Sequence, residues 1–291
     1  MIYSRISSKK MTSANFNRAY PGGSQPVTTT SLWFLINRQS QIVVRVRGDG
    51  DGFALPNGAT PWEGYSPNGT TVHLGDLNGV ACRADWLDDD VALPSAHRAL
   101  GLRDLFGRID DDHYGIAGYA TQMISWQLTA NFCPICATPL ENMNGDWGKK
   151  CPRDGHTMYP PVSPCTITLI HDGDRILMTH KAGWGPRYGL VAGFVEPGET
   201  LEENVAREIK EETGVDVTDI TYWRSQPWPF PHQIMCGFYA RYVRGDIKID
   251  TNELDDARWF TVADIRSGTP TIPAPLSIAR QLIDNWLVQN G

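Results

Sequence analysis

Apolar and polar positions alternate in short blocks over residues 31–90. Runs at 32–36, 42–46, 71–74 and 80–85 are separated by Gly, Asp, Pro and Asn clusters at 48–52 and 66–69. Apolar runs of that length between turn residues predict strands. The 48–52 cluster carries part of a calcium-loop pattern but lacks the spacing and closing Glu of an EF-hand, so a plain turn is expected. Residues 116–130 predict one amphipathic helix. That helix leads straight into Phe132-Cys-Pro-Ile-Cys136. From residue 165 the pattern changes. Strands at 165–170 and 176–179 flank a turn at 171–174, and a Gly-rich segment follows. An acidic helix, a strand at 233–243 and a terminal helix at 277–288 complete the chain. No internal repeat is visible. The pattern divides the chain into a β-rich N-terminal domain (1–130, with 1–30 a frayed polar terminus), a small Cys-rich insert (131–161) and an α+β domain (162–291).

The acidic helix is the most informative stretch. Thr200 and Glu203 have the S/T-x-x-E spacing of a capping box, so a helix begins at 201. Leu201, Val205 and Ile209 form one apolar stripe, and Gly214 stands where a helix ends in a left-handed residue. Glu208, Glu211 and Glu212 fall at i, i+3 and i+4, which places three carboxylates on one face. Like charges so spaced destabilise an isolated helix, and a local cost without local benefit often marks a functional site. Hard divalent cations take carboxylate oxygens, and Mg²⁺ commonly joins one or two carboxylates to phosphates. A solvated acidic face is the plain alternative.

Composition narrows the classes. With 41% hydrophobic and 20% charged residues the chain is not wholly disordered. Lys plus Arg number 26 against 33 Asp plus Glu, a net charge of −7, which argues against a DNA-binding protein or other electrostatic nucleic-acid binder. A phosphate-bearing substrate stays open, because metal ions supply the missing positive charge. No run approaches the ~20 apolar residues of a membrane span. The first 30 residues lack a signal-peptide core. They also lack acids, as organelle transit peptides do, but a polar terminus is the simpler reading. Six cysteines without a secretory signal point to the cytoplasm.

Gly193, Glu199, Arg207-Glu208-Ile209, Glu211-Glu212 and Gly214-Val215 stand at the spacing G-x5-E-x7-R-E-U-x-E-E-x-G-U, with U aliphatic. This resembles the signature box of the Nudix hydrolases at every defined position. The resemblance implies an α+β fold with a Nudix α/β/α sandwich. It implies hydrolysis of a nucleoside diphosphate linked to another moiety, with Mg²⁺ or Mn²⁺. Glu208, Glu211 and Glu212 would be the catalytic carboxylates. Glu208 and Glu212 would bind metal, and Glu211 would be a further ligand or handle the attacking water. The carbonyl of Ala192 would be another metal donor, and a Glu199–Arg207 pair would fix the loop.

Beyond the box, Ser225 to Pro231 reads Ser-Gln-Pro-Trp-Pro-Phe-Pro. By itself this is a stiff, aromatic-walled loop that packs on a core. It resembles the SQPWPFPxS signature of the NADH pyrophosphatases, the NudC-like branch. One departure is Gln233 in place of the closing Ser; the longer side chain puts that contact in doubt. The resemblance implies substrate contacts at Gln226, Pro227, Trp228, Pro229, Phe230, Pro231, His232 and Gln233. It adds Phe194 as a stacking ring, Tyr159, and Ala279 in the C-terminal helix. Glu253 would be a further metal ligand. Arg103 and Asp146 match substrate contacts by distance to the cysteines. Residues 1–90 carry little family signal; they are inferred to be a dimer-forming domain of a homodimer whose pocket takes residues from both chains.

Cys133, Cys136 and Cys151 have zinc-ribbon spacing, but the fourth position is Asp154, with His156 two residues on. Zn²⁺ accepts carboxylate and imidazole, so a Cys3Asp or Cys3His site is allowed; a ribbon held by packing without metal is the alternative. Cys82, Cys165 and Cys236 read as ordinary buried cysteines. The function implied is cleavage of NAD(H) to nicotinamide mononucleotide and AMP, with removal of NAD caps from RNA 5′ ends. The rivals are a Nudix hydrolase for another dinucleotide such as ADP-ribose, and a catalytically silent nucleotide- or RNA-binding regulator.

Overall fold

The computed structural model describes residues 15–22, 30–48, 52–67, 69 and 71–290. Most of the expected polar terminus, and residues 49–51 of the expected Gly/Asp turn, lie outside them. The chain divides into two compact units, residues 1–161 and 162–291. No helix among the described residues is long and apolar enough to cross a membrane.

The first unit opens with strands β1 (Phe16–Arg18), β2 (Ser31–Ile36), β3 (Ile42–Val46), β4 (Phe53–Ala54), β5 (Asn57–Gly58), β6 (Val72–Leu77), β7 (Val80–Trp86) and β8 (His97–Leu100). Helices α1 (Leu102–Leu105) and α2 (Asp111–Thr129) follow. The strands form one sheet in the order β1-β6-β7-β2-β3-β4, with β5 on β2 and β8 on β3. Helix α2 starts earlier than its apolar pattern predicts. Asp110 accepts from the backbone N–H groups of Asp112 and His113, so an acidic polar turn precedes the apolar one. It is also less amphipathic than expected, because every residue from Tyr114 to Thr121 is buried. The Cys-rich segment carries three two-residue strands, β9 (Glu141–Asn142), β10 (Lys149–Lys150) and β11 (Thr157–Met158), in the order β11-β10-β9.

The second unit contains β12 (Ser163–Asp172), β13 (Arg175–His180), β14 (Val191–Phe194), α3 (Leu201–Thr213), β15 (Asp216–Trp228), β16 (Gln233–Arg244), β17 (Asp256–Thr261), α4 (Val262–Arg266) and α5 (Ile278–Asn290). Its sheet runs β15-β16-β12-β13-β17, with β14 on β12. Alternation along β12 sends Cys165, Ile167 and Leu169 to one face, where Ala279, Leu282, Ile283 and Trp286 of α5 pack. Ile170 joins the opposite face, where Val205 and Ile209 of α3 pack. Two helices on two faces of one sheet make the α/β/α sandwich. Helix α3 has the bounds its caps predict. Thr200 and Glu203 form the reciprocal capping box, and Gly214 has φ +77°, which a Cβ would strain.

The two units share one wiring that the sequence does not show as a repeat. In the first, β2 pairs parallel with β7 and antiparallel with β3 and β5. In the second, β12 pairs parallel with β16 and antiparallel with β13 and β14. The outer pairs correspond too: β6–β7 with β15–β16, and β3–β8 with β13–β17. Each set ends in a short helix followed by a long one. The difference lies between β5 and β6, where no helix stands among the described residues. There Trp62 and Tyr65 pack on Trp33, Leu35, Val43 and Leu87. Tyr65 also donates to buried Asp85 at 2.7 Å. Two rings thus cover a sheet with the same connections as the one that α3 covers in the second unit.

Candidate active site

The box residues run from the end of β14, through the loop that carries Glu199, into the C-terminal half of α3 and its cap at Gly214. Gly193 is there because Glu208 needs its space: a Cβ on residue 193 would lie 1.9 Å from the Glu208 carboxyl carbon. Arg207 is pinned to the loop. Its guanidinium donates to both carboxylate oxygens of Glu199, with Nη2 3.0 Å from Oε2, and to the Phe194 carbonyl at 3.2 Å. This pair holds the Glu199 carboxyl down, at about 2, with the Glu196 backbone N–H assisting. Asn204, fully buried in α3, donates to the same Phe194 carbonyl and accepts from Thr166 of β12. Helix, loop and sheet are therefore locked into one frame.

On that frame the glutamates separate in environment. Glu212 is 3% exposed, and its Oε2 is buried without a hydrogen-bond partner. Burial pushes its carboxyl up to about 7, the neighbouring charges of Glu253 and Glu208 add to the rise, and Lys181 opposes it. Glu208 is also raised by burial. Glu211 is exposed and takes Arg207 Nη1 at 2.8 Å; Glu208 takes the same nitrogen at 3.0 Å. Glu253, in the turn before β17, meets Lys181 Nζ at 3.1 Å, and Lys181 reaches Glu212 Oε1 at 3.5 Å. The spacing alone put three equal carboxylates on one face; packing makes one buried, one half-buried and one solvated.

A carboxylate oxygen buried without a partner is costly and calls for a cation or a proton. The donors here are hard oxygens, which suits a divalent ion such as Mg²⁺ or Mn²⁺. The donor chemistry of these residues suits such an ion, and the missing Cβ at Gly193 leaves the room that the Glu208 carboxylate occupies. Ala192 lies in β14 opposite Ile167, next to that glycine.

The aromatic signature is placed differently from the loop that its prolines suggest. Residues through Trp228 belong to β15, and Pro227 pairs with Ile234 and Trp228 with Gln233. Proline is tolerated because β15 is an edge strand. The chain then turns through Pro229, Phe230, Pro231 and His232. Trp228 and Phe230 pack ring to ring at 4.9 Å. His232 Nδ1 lies 3.2 Å from the Ser163 hydroxyl. Gln226 is committed to the fold: its amide donates to the Leu276 carbonyl at 2.8 Å and accepts from the Ile278 N–H at 2.7 Å, tying α5 to the sheet. Ala279 is buried in the α5 face of the core. Phe194, 52% exposed at the end of β14, is free to stack.

Tyr159, Asp146 and Arg103 belong to the first unit. Tyr159 is exposed, and its ring packs over Gly148, where a Cβ would lie 2.8 Å away. Asp146 accepts from the Gly148 N–H at 3.2 Å. In the same unit Cys133, Cys136, Cys151 and Asp154 offer four ligand atoms within 4.8 Å of one another. Cys136 and Cys151 sulfurs are 3.6 Å apart, and Cys133 Sγ is 3.4 Å from Asp154 Oδ2. A tetrahedral ion with ~2.3 Å bonds to sulfur has ligand–ligand edges of about 3.8 Å, so the set can hold a metal ion. His156 lies outside this group and donates its backbone N–H to Asp154. Cys82, Cys165 and Cys236 are buried.

Lys181 and Asn204 escape sequence reasoning. Lys181 lies one residue beyond β13, with nothing around it to mark it. Asn204 had a faint signal, an amide on the inner side of an amphipathic helix.

The family models and the relatives in sequence agree on one family. Residues 161–280 match the NUDIX domain, and residues 30–126 match the NADH pyrophosphatase-like rudimentary NUDIX domain. The chain is 40% identical over 217 residues to the NAD-capped RNA hydrolase NudC of Stutzerimonas stutzeri, covering 74% of this chain and 77% of that one. It is 41% identical over 199 residues to the Deinococcus radiodurans protein of the same name, covering 67% and 70%. Among solved structures, a NUDIX hydrolase from Nitrosomonas europaea matches with TM-score 0.38 and 23% identity, over 45% of this chain and 77% of that one.

Proposed function

The chain belongs to the Nudix hydrolase family, in its NudC branch, and from that premise we infer that it cleaves the pyrophosphate of NAD(H) into nicotinamide mononucleotide and AMP. The same cut at an RNA 5′ end removes an NAD cap. The observation that carries this reading is the buried, unpartnered Glu212 oxygen beside Glu208 and Glu253, a cradle with the chemistry for a divalent cation.

We assign Glu208, Glu212 and Glu253, with the Ala192 carbonyl, to a Mg²⁺ or Mn²⁺ site. When bound, such an ion screens the pyrophosphate, activates water and stabilises the leaving phosphate. Glu211 stands at the solvent edge, where it orients water or adds a ligand. Arg207 and Glu199 hold the loop so that these carboxylates need not reorganise during reaction. Phe194 and the Trp228–Phe230 pair supply flat faces for the nicotinamide and adenine rings, with Pro227, Pro229, Pro231, His232 and Gln233 shaping the wall between. Tyr159, Ala279, Arg103 and Asp146 stay in the proposed substrate set. For Gln226 the observed bonds favour a fastening role over direct contact.

We assign Zn²⁺ to Cys133, Cys136, Cys151 and Asp154, since thiolates select it. The division into 1–130, 131–161 and 162–291 belongs to the same reading, as does a homodimer; exposed Phe132 and Ile135 supply apolar surface for one. Free cysteines with metal-site spacing support a cytoplasmic location.

The test is hydrolysis of NADH, NAD-capped RNA and ADP-ribose in Mg²⁺ and in Mn²⁺. AMP released from NADH and RNA freed of its cap are expected. Faster turnover of ADP-ribose than of either would assign the enzyme to the other dinucleotide, for which Gln233 leaves room. Binding without turnover of any of them would make it a regulator.

A further inference from the structure

Two cations stand among the four glutamates, and they are held in different ways. Arg207 bridges Glu208 and Glu211, but it is also fixed from behind by Glu199 and by the Phe194 carbonyl. Its planar fork is part of the frame. Lys181 bridges Glu212 and Glu253, and among the described residues these two carboxylates are the hydrogen-bond partners of its ammonium. Its side chain is 31% exposed, so it has a way out to solvent. An ammonium is a compact point charge on a flexible stem, unlike a guanidinium.

Position and tether together set its role. The Lys181 nitrogen lies between the buried Glu212 and the solvent-side Glu253, both of which are proposed metal ligands. It satisfies one Glu212 oxygen at a long 3.5 Å and leaves the other without a partner. One positive charge half-fills a place suited to two.

We propose that Lys181 is a tethered counter-ion of the cradle, which occupies a cation position between Glu212 and Glu253 and must be displaced when a divalent ion enters. Lys181 is thus a positioning residue that weakens metal binding. It keeps the two carboxylates together in the metal-free protein and raises the metal concentration at which the enzyme becomes loaded. This rests on the metal assignment made above for Glu208, Glu212 and Glu253.

The test is Mn²⁺ binding to the chelator-treated full chain, followed by titration calorimetry and by the loss of the free-Mn²⁺ resonance signal, without substrate. Lys181→Met keeps the length and removes the charge. It is expected to bind Mn²⁺ roughly tenfold more tightly, the scale of one unit charge a few ångströms away in partly solvated protein. Lys181→Arg restores a cation and is expected to return the affinity towards wild type. Lys181→Gln repeats the measurement should Met disturb folding. Unchanged or weaker Mn²⁺ binding in both neutral variants, as judged on folded protein, overturns the proposal. Glu212→Gln separates the two levels of inference. If it binds Mn²⁺ as tightly as wild type, the metal assignment itself fails. If it loses binding while Lys181→Met behaves as wild type, the counter-ion role alone fails.

Discussion

Glu212→Gln is expected to stabilise the metal-free protein while disabling the enzyme. The Glu212 carboxyl is pushed to about 7 by burial, against about 4.5 for an ordinary Glu. Below about pH 4.5 the folded and unfolded chains both hold this proton, and there is no penalty. Between 4.5 and 7 the unfolded chain releases it while the folded chain keeps it, so folding stability falls as pH rises. Above 7 the folded chain carries a buried charge, and the penalty is complete. A gap near 2.5 pH units corresponds to about 3 kcal/mol as an upper value, since each unit is ~1.4 kcal/mol. Glutamine has the same shape and cannot ionise. The attraction to Lys181 is already contained in the net rise to about 7, so its loss subtracts nothing further. In EDTA at pH 8 the variant should therefore exceed wild type by about 1–3 kcal/mol in urea unfolding, and at pH 4.5 the two should nearly coincide. Adding Mn²⁺ should reverse the order at pH 8, because the wild-type cradle gains binding energy and the variant does not. NADH hydrolysis should fall at least ~10²-fold. A variant less stable than wild type in EDTA at pH 8, or a difference equal at both pH values, would refute the argument that burial raises this carboxyl.

Other outcomes follow from other contacts. Glu199→Gln should flatten the pH dependence of the urea midpoint between about 4.5 and 2; the wild-type pair is fully formed above 4.5 and is lost as pH falls through about 2, where Arg207 holds the carboxyl. Gln226→Leu leaves the Ile278 N–H and the Leu276 carbonyl unpaired, so unfolding should be easier by about 1–3 kcal/mol, whereas loss of NADH affinity with stability intact would restore Gln226 as a substrate contact. Purified protein should carry about one zinc by atomic emission, and Asp154→Ala should lower that content; a metal-free wild type would mean a ribbon held by packing. Leu282→Ala removes a fully buried side chain from the α5 face and should cost about 2–5 kcal/mol in chemical unfolding.

Much of the second unit is legible in the sequence because its signals are local. A capping box, an apolar stripe and a terminal glycine bound α3 without any knowledge of the rest of the fold. The Nudix spacing likewise fixes which carboxylates share a face. What local pattern cannot supply is which of them is buried. Glu208, Glu211 and Glu212 look alike in sequence, and β14, Gly193 and Arg207 make them differ. Lys181 was illegible for the same reason: its partners are 31 and 72 residues away. The end of the strand over Asp216–Trp228 was missed because the segment from Ser225 to Pro231 read as a proline-stiffened loop, and the edge position of the strand tolerates Pro227. In the first unit Trp62 and Tyr65 do what a helix does elsewhere, so no helical period marks the correspondence between the units.

The shared wiring of the two units has a consequence for how the chain folds. In each, the central pair is parallel and joins distant residues: Ser31 pairs with Ala81, and Ser163 with Gln233. Neither pair can form by a hairpin; each waits for a long crossover to close, the slow kind of step in folding. In the second unit Lys181 and α3 lie inside that crossover, between β12 and β16, while Glu253 lies beyond it. The cradle is therefore among the last things to be assembled, and a divalent ion finds it only on chains that have finished. Metal in the cell would then draw nascent chains toward completion by mass action, and starved chains would linger with β12 and β16 unpaired.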